Sequence, residues 1–207
     1  LPGVKGPPPS PAKAPTPEGT SGASSESFAM IAVAYVFAAT GFVSSGLSAL
    51  FPTMLVAFGT TTTAALFAGA LIGPAQVAAR IIEAGWLSRY HPLASARLAT
   101  LSHPLGVIAL VAGGPVLAPV FAVLYGAGNG ILTIARGTLP LALFGPHGFG
   151  RRVGMLSVPA RVTGAIAPLA VGLLVEYVGT ATLWVTALAS LSAFGVLMLL
   201  RPAVPHD

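Results

Sequence analysis

LATLSHPLGVIALVAGGPVLAPVFAVLYGAGNGILTIA, residues 98–135, contains no Asp, Glu, Lys or Arg, and it decides the fold class. It is too long for a single crossing of a bilayer core, which takes about 20 apolar residues. It carries its own break at Gly113, Gly114 and Pro115. The stretch therefore predicts two membrane-spanning helices in succession, residues 98–113 and 116–135. A closed β-barrel is the other structure that satisfies its backbone inside lipid. Its strands alternate apolar and polar residues, and this run does not.

Outward from that stretch the same kind of run recurs. The spans predicted on either side are residues 28–50, 61–83, 153–176 and 180–200, which makes six in one transmembrane domain, residues 28–201. The whole composition agrees. Of 207 residues 55% are hydrophobic and 7% charged, where an average soluble domain has about 25% charged. Mean hydropathy is +0.86. A soluble globular surface needs far more charge, and a disordered chain far less hydrophobicity. Residues 1–27, rich in Pro, Ser, Gly and Thr, read as a disordered cytoplasmic tail or linker. Residues 7–11 alone can also be read as an SH3-type polyproline ligand. Residues 1–27 lack the basic start and apolar stretch of a signal peptide. Residues 202–207 read as a short cytoplasmic tail. The first residue is Leu1 rather than Met, as in a fragment or a processed form.

The charges orient the spans. Arg80 closes the apolar part of the second span and Arg89 and Arg97 follow before the third, Arg136, Arg151 and Arg152 fall between the fourth and fifth, and Arg201 after the sixth. Lys5 and Lys13 precede the first, and the other three connections carry no Lys or Arg. Because cytoplasmic loops hold the excess of Lys and Arg, both termini and both basic loops are expected in the cytoplasm. The net charge of +5 then reflects topology, and nucleic acid is not expected as a partner. The preference for Arg, Ala and Gly suggests a GC-rich bacterial source and hence a bacterial inner membrane.

Two segments match internally. Pro74-Ala75-Gln76-Val77 lies in the second span and Pro159-Ala160-Arg161-Val162 in the fifth. Interrupted helices at matching positions are a signature of inverted three-plus-three repeats in transporters. The fold class expected is thus an all-α integral membrane bundle of six helices in a 3+3 inverted repeat.

Gly150-Arg151-Arg152-Val153-Gly154, followed by Gly164-Ala165-Ile166-Ala167-Pro168 and Gly172-Leu173-Leu174, resembles the region around the tenth and eleventh helices of major facilitator superfamily transporters. Leu71-Ile72-Gly73-Pro74-Ala75-Gln76-Val77-Ala78-Ala79-Arg80 is similar to the eighth helix of bacterial members, and Gly126-Ala127-Gly128-Asn129-Gly130 to the tenth. The resemblance covers residues 28–201. The family has twelve helices in two halves, so it implies a carboxy-terminal half. Residues 1–27 would then be the loop joining the halves. The family's Asp-Arg element between its second and third helices has no Asp here. Only Arg80, Glu83, Arg89 and Arg97 stand there.

Arg161 is the sharpest chemical feature. It follows Arg152 by nine residues, about 13 Å of helix rise, which is deep within an apolar core of about 30 Å. An Arg at such depth is costly unless paired or wetted. It either faces a central cavity and meets an anionic solute or an acid of the other half, or it snorkels to the headgroups on its own stem. Gln76 is its repeat-related partner, suited to a polar solute or to an interhelical hydrogen bond. Asn129 and Thr133, four apart, share a helix face and are candidate cavity residues near Arg136. Arg80 and Glu83, three apart, are a candidate ion pair or cytoplasmic gate latch, with Arg151 and Arg152 on the same side. His103 is a candidate protonation site, or an interfacial histidine with its bonds satisfied. Gly126, Gly128 and Gly130 lack the preceding strand and the spacing of a dinucleotide loop and read as a close helix contact. Gly164, Pro168 and Gly172 read likewise as one tight face.

Catalysis is not expected. The chain has no Cys and a single Asp, Asp207, and neither a Gly-x-Ser-x-Gly nor a His-Glu-x-x-His motif. No metal site and no cofactor are expected either. The expected function is secondary transport of a small solute by alternating access. The expected partners are the lipid bilayer, the solute, and an amino-terminal six-helix half or a second copy. The alternative is a non-transporting membrane protein, whether scaffold, regulator or degenerate fragment.

Overall fold

The computed structural model describes residues 20–200. Their α-helices are α1 (Thr20–Ala57), α2 (Thr62–Gly85), α3 (Pro92–Gly113), α4 (Ala118–Phe144), α5 (Phe149–Val178) and α6 (Thr182–Leu199). Single 3-10 turns follow α2, α3 and α5, at Leu87–Arg89, Gly114–Leu117 and Gly179–Ala181. No strand occurs among the described residues. Residues 1–19 and 201–207, which hold Lys5, Lys13, residues 7–11 and Arg201, lie outside them.

All the helices but α6 overrun the apolar runs that announce them. α1 begins at Thr20, so part of the segment expected to be disordered, residues 20–27, is helical. α3 begins at Pro92 rather than at residue 98, because Pro92 fits the first helical turn and the His91 Nδ1 accepts from the Leu93 N–H at 3.2 Å. α4 continues to Phe144. Arg97 and Arg136 therefore sit inside α3 and α4 rather than in the loops assigned to them, and Arg80 lies within α2. The physical reason is that hydropathy marks the thickness of lipid, while a helix continues as long as its residues tolerate the geometry.

Four helical stretches are long and apolar enough to cross a membrane: Glu26–Ala57, Thr62–Arg89, Pro92–Phe144 and Phe149–Leu199. The outside of the bundle is also apolar. Phe67, Ile81, Leu105, Leu169 and Leu188 are among the large hydrophobic side chains turned outward. Apolar residues both inside and outside are the mark of a membrane protein. As one straight helix the third stretch would run about 80 Å, far beyond any bilayer. It breaks instead at Gly114, whose φ of +69° suits only a residue without a Cβ. α3 and α4 fold back onto each other there.

The dominant packing is α1 along α5 and α2 along α4, with α3 against α4 and α6. One core cluster surrounds Leu47, Leu55 and Leu110, with Phe51 stacked on Phe121 and on Tyr125 at 5.3 and 5.7 Å between ring centroids. A second surrounds Val33, Phe37, Leu139, Leu156 and Leu197. Where lipid tails replace water, helix association rests on close van der Waals packing of small residues. The α2–α4 contact meets that demand. A Cβ added at Gly126 would lie 2.7 Å from the Ile72 carbonyl oxygen, and one at Gly130 would lie 2.5 Å from that of Gln76. Gly128 turns to α3, where a Cβ would lie 2.8 Å from the Ala99 oxygen.

Gly130→Ala should therefore destabilise the purified chain by about 2 kcal/mol through overpacking. Gly137→Ala in the same helix, where a Cβ meets nothing within 4 Å, should be neutral or mildly stabilising. Thermal unfolding of both in detergent checks this.

Candidate functional site

A cleft of about 580 Å³ lies between α1, α4 and α5. α1 contributes Ser44 and Ser45, α4 contributes Arg136, and α5 contributes Ser157 and Arg161. Small residues open it, since Gly41, Ala160, Gly164 and Ala165 form much of its wall. At its back α1 and α5 touch closely. A Cβ at Gly41 would come within 3.1 Å of the Ala160 oxygen, and the Thr163 hydroxyl donates to the Ala38 carbonyl at 3.0 Å.

The arginines divide into two kinds. Arg97 is structural: its guanidinium donates to the carbonyls of Leu197 at 3.0 Å and Leu200 at 2.9 Å. It thereby satisfies the unpaired end of α6, where a cation also complements the helix dipole. Arg152 does the same for α4. It donates to the Phe144 and His147 carbonyls, lies over the Phe144 ring at 5.6 Å, and pairs with Glu26 of α1. That is the only ion pair among the described residues. Arg136 and Arg161 thus have no carboxylate partner among them, and both point into one cleft whose lining holds no acid. Two guanidiniums and the Ser44 and Ser45 hydroxyls present hydrogen-bond donors and positive charge, while the Ser157 hydroxyl donates to the Val153 carbonyl at 2.7 Å. Beside a low-dielectric wall, that arrangement attracts an anion more strongly than it would in bulk water.

The other candidates go elsewhere. Gln76 is half-buried at the α2–α4 contact and does not line the cleft. Asn129 lines a second, smaller cavity with His103. Thr133 is exposed, and its hydroxyl is engaged by the Asn129 carbonyl at 2.8 Å, so the two interact along their own helix. Arg80 and Glu83 do not pair. Arg80 is exposed while Glu83 is buried beside Ser88, Tyr90 and Thr138, at the edge of the face that α2 turns to α4. Arg151 is exposed. His103 is buried, with its Nε2 3.1 Å from the Thr186 hydroxyl.

Arg136 and the serines of α1 and α5 were not singled out as site residues by the sequence. A signal for Arg136 existed: the apolar run Leu139-Pro140-Leu141-Ala142-Leu143-Phe144 that follows it places it inside a helix rather than at its end. Ser44, Ser45 and Ser157 left no such mark, since serine in a membrane helix most often bonds its own backbone. No family model matches the chain, and no curated protein matches it.

The division of the arginines has a measurable consequence. Arg97→Ala should lower stability by about 2 kcal/mol, the scale of charge-assisted hydrogen bonds. Arg136→Ala and Arg161→Ala should leave stability unchanged or raise it, since each removes one of two like charges in a shared cleft. Thermal midpoints of the three variants, measured side by side, decide this.

Proposed function

We propose that the chain is a six-helix half of a secondary transporter of the major facilitator kind, its carboxy-terminal half. The cleft between α1, α4 and α5 is its share of the path of a small anionic solute. The observation that carries the reading is the convergence of Arg136 and Arg161, from different helices, on one cleft without a carboxylate.

The packing supports the repeat. If α1 corresponds to α4 and α2 to α5, the α1–α5 pair maps onto the α4–α2 pair, and these are the two most extensive pairings. Gly41 meets Ala160 as Gly126 meets Ala75, with the same interval along the chain from Gly41 to Gly126 as from Ala75 to Ala160. Pro74 and Pro159, and Gln76 and Arg161, keep that interval too. Counting the long third and fourth stretches as two spans each, broken at Gly114 and Gly179, gives six spans. Both termini and the basic residues then belong on the cytoplasmic side of a bacterial inner membrane. Alternating access needs a second bundle across the cleft, which an amino-terminal half or a second copy supplies.

The test is uptake into sealed proteoliposomes, with the chain alone and co-expressed with a candidate other half. Labelled phosphate and small mono- and dicarboxylates serve as probes. The expected result is saturable uptake of at least one anion, reduced more than tenfold by Arg161→Ala and by Arg136→Ala but not by Arg151→Ala. Folded protein that moves no probe in either format, or uptake indifferent to both cleft arginines, overturns the reading and favours a scaffold, regulator or degenerate fragment.

A further inference from the structure

A second cavity, of about 20 Å³, lies inside the bundle between α1, α3, α4 and α6. That is room for one water molecule. Thr40, Thr100, His103, Tyr125, Asn129 and Ser190 provide its polar lining, and none of its lining residues is a carboxylate or a basic group other than His103. Two polar atoms of that lining are buried without a partner, the His103 Nδ1 and the Asn129 Nδ2.

Proton accounting determines what each can do. The Thr186 hydroxyl donates its only proton to the Leu183 carbonyl at 2.9 Å. Its oxygen, 3.1 Å from His103 Nε2, must therefore accept, which places the imidazole proton on Nε2. Nδ1 is then a bare acceptor. The Asn129 Nδ2 is a donor. The two orphans are complementary, and each needs what a water molecule offers. The remaining water proton also has acceptors, because the Thr40 and Thr100 hydroxyls donate to Val36 and Ala96 and present only lone pairs to the cavity.

We propose that one water molecule is bound in this cavity, accepting from Asn129 Nδ2 and donating to the bare Nδ1 of His103, whose Thr186 bond holds it as the neutral Nε2–H tautomer. A metal or alkali cation does not fit the same place, since the unpartnered Asn129 atom is a donor and would face the cation with its hydrogens. His103 then joins α3 to α6 through Thr186 and to α4 through the water. It is a positioning residue, set beside Tyr125 at 5.8 Å between rings. Tyr125 in turn donates to the Ser44 carbonyl, 2.8 Å away, in the wall of the arginine cleft. The inference does not depend on the transport reading.

The test is nitrogen NMR of the full chain in lipid bilayers with labelled histidine. His91, His147 and His206 are assigned by the single variants His91→Gln, His147→Gln and His206→Gln. At neutral pH the His103 signals should be those of a neutral ring protonated on Nε2, and magnetisation should pass from water protons to Nδ1. Asn129→Leu should abolish that transfer while the Thr186 bond keeps the tautomer. An Nδ1–H tautomer, an imidazolium at neutral pH, or an Nδ1 without water contact in the unmodified chain overturns the proposal.

Discussion

Backbone-to-backbone approach at glycine is the constraint on which the rest of this structure depends. Lipid gives helices little hydrophobic reason to associate, so the two main pairs rely on closeness. α4 meets α2 through Gly126 and Gly130, and α1 meets α5 through Gly41. A methyl group at Gly126 or Gly130 would overlap a carbonyl oxygen. With those pairs fixed, α3 and α6 are left to complete the two core clusters, and the α1–α5 seam opens into the cleft. The small residues that let α1 and α5 approach are also the ones that leave room beside them, so packing and cavity arise from one choice of residue.

The second constraint is the cost of positive charge in an apolar body. Arg97 and Arg152 meet it by covering the carbonyl ends of α6 and α4, where their charge is welcome. Arg136 and Arg161 are offered no such use among the described residues. The described residues have few acids to give them: Glu26 is taken by Arg152, Glu83 faces a different cavity, and Glu176 stands near the far end of α5. Arg136 and Arg161 are both exposed, and two guanidiniums facing one space repel each other, a cost that an anion or a partner's carboxylate would offset. That is why the cleft, rather than the buried His103 or Glu83, carries the functional reading.

Much of the fold was legible because lipid imposes a coarse code. The uncharged run through residues 98–135 and its Gly-Gly-Pro break announce two helices and the reversal between them, and the reversal at Gly114 is there. Helix ends were less legible. The start of α3, where His91 accepts from the Leu93 N–H, depends on a local hydrogen bond that a hydropathy window does not sense, whereas the apolar run 139–144 did mark the continuation of α4 past Arg136. Arg161 stood out by depth along its own helix. Its meeting with Arg136 depends on how α1, α4 and α5 pack, and no local pattern encodes that. The Arg80 and Glu83 spacing allowed a pair, but the rotation of α2 against α4 separated them.

The central claim is a bundle whose spans alternate in direction, with the basic loops on one side. A chain without cysteine suits a direct measurement. Val116→Cys, in the turn after α3, and Pro146→Cys, in the loop after α4, are both at exposed positions. Each is treated in sealed, oriented membrane vesicles with a thiol reagent that cannot cross the bilayer. The account predicts labelling from opposite sides, Pro146→Cys from the cytoplasmic side and Val116→Cys from the other. Labelling of both from the same side would contradict it.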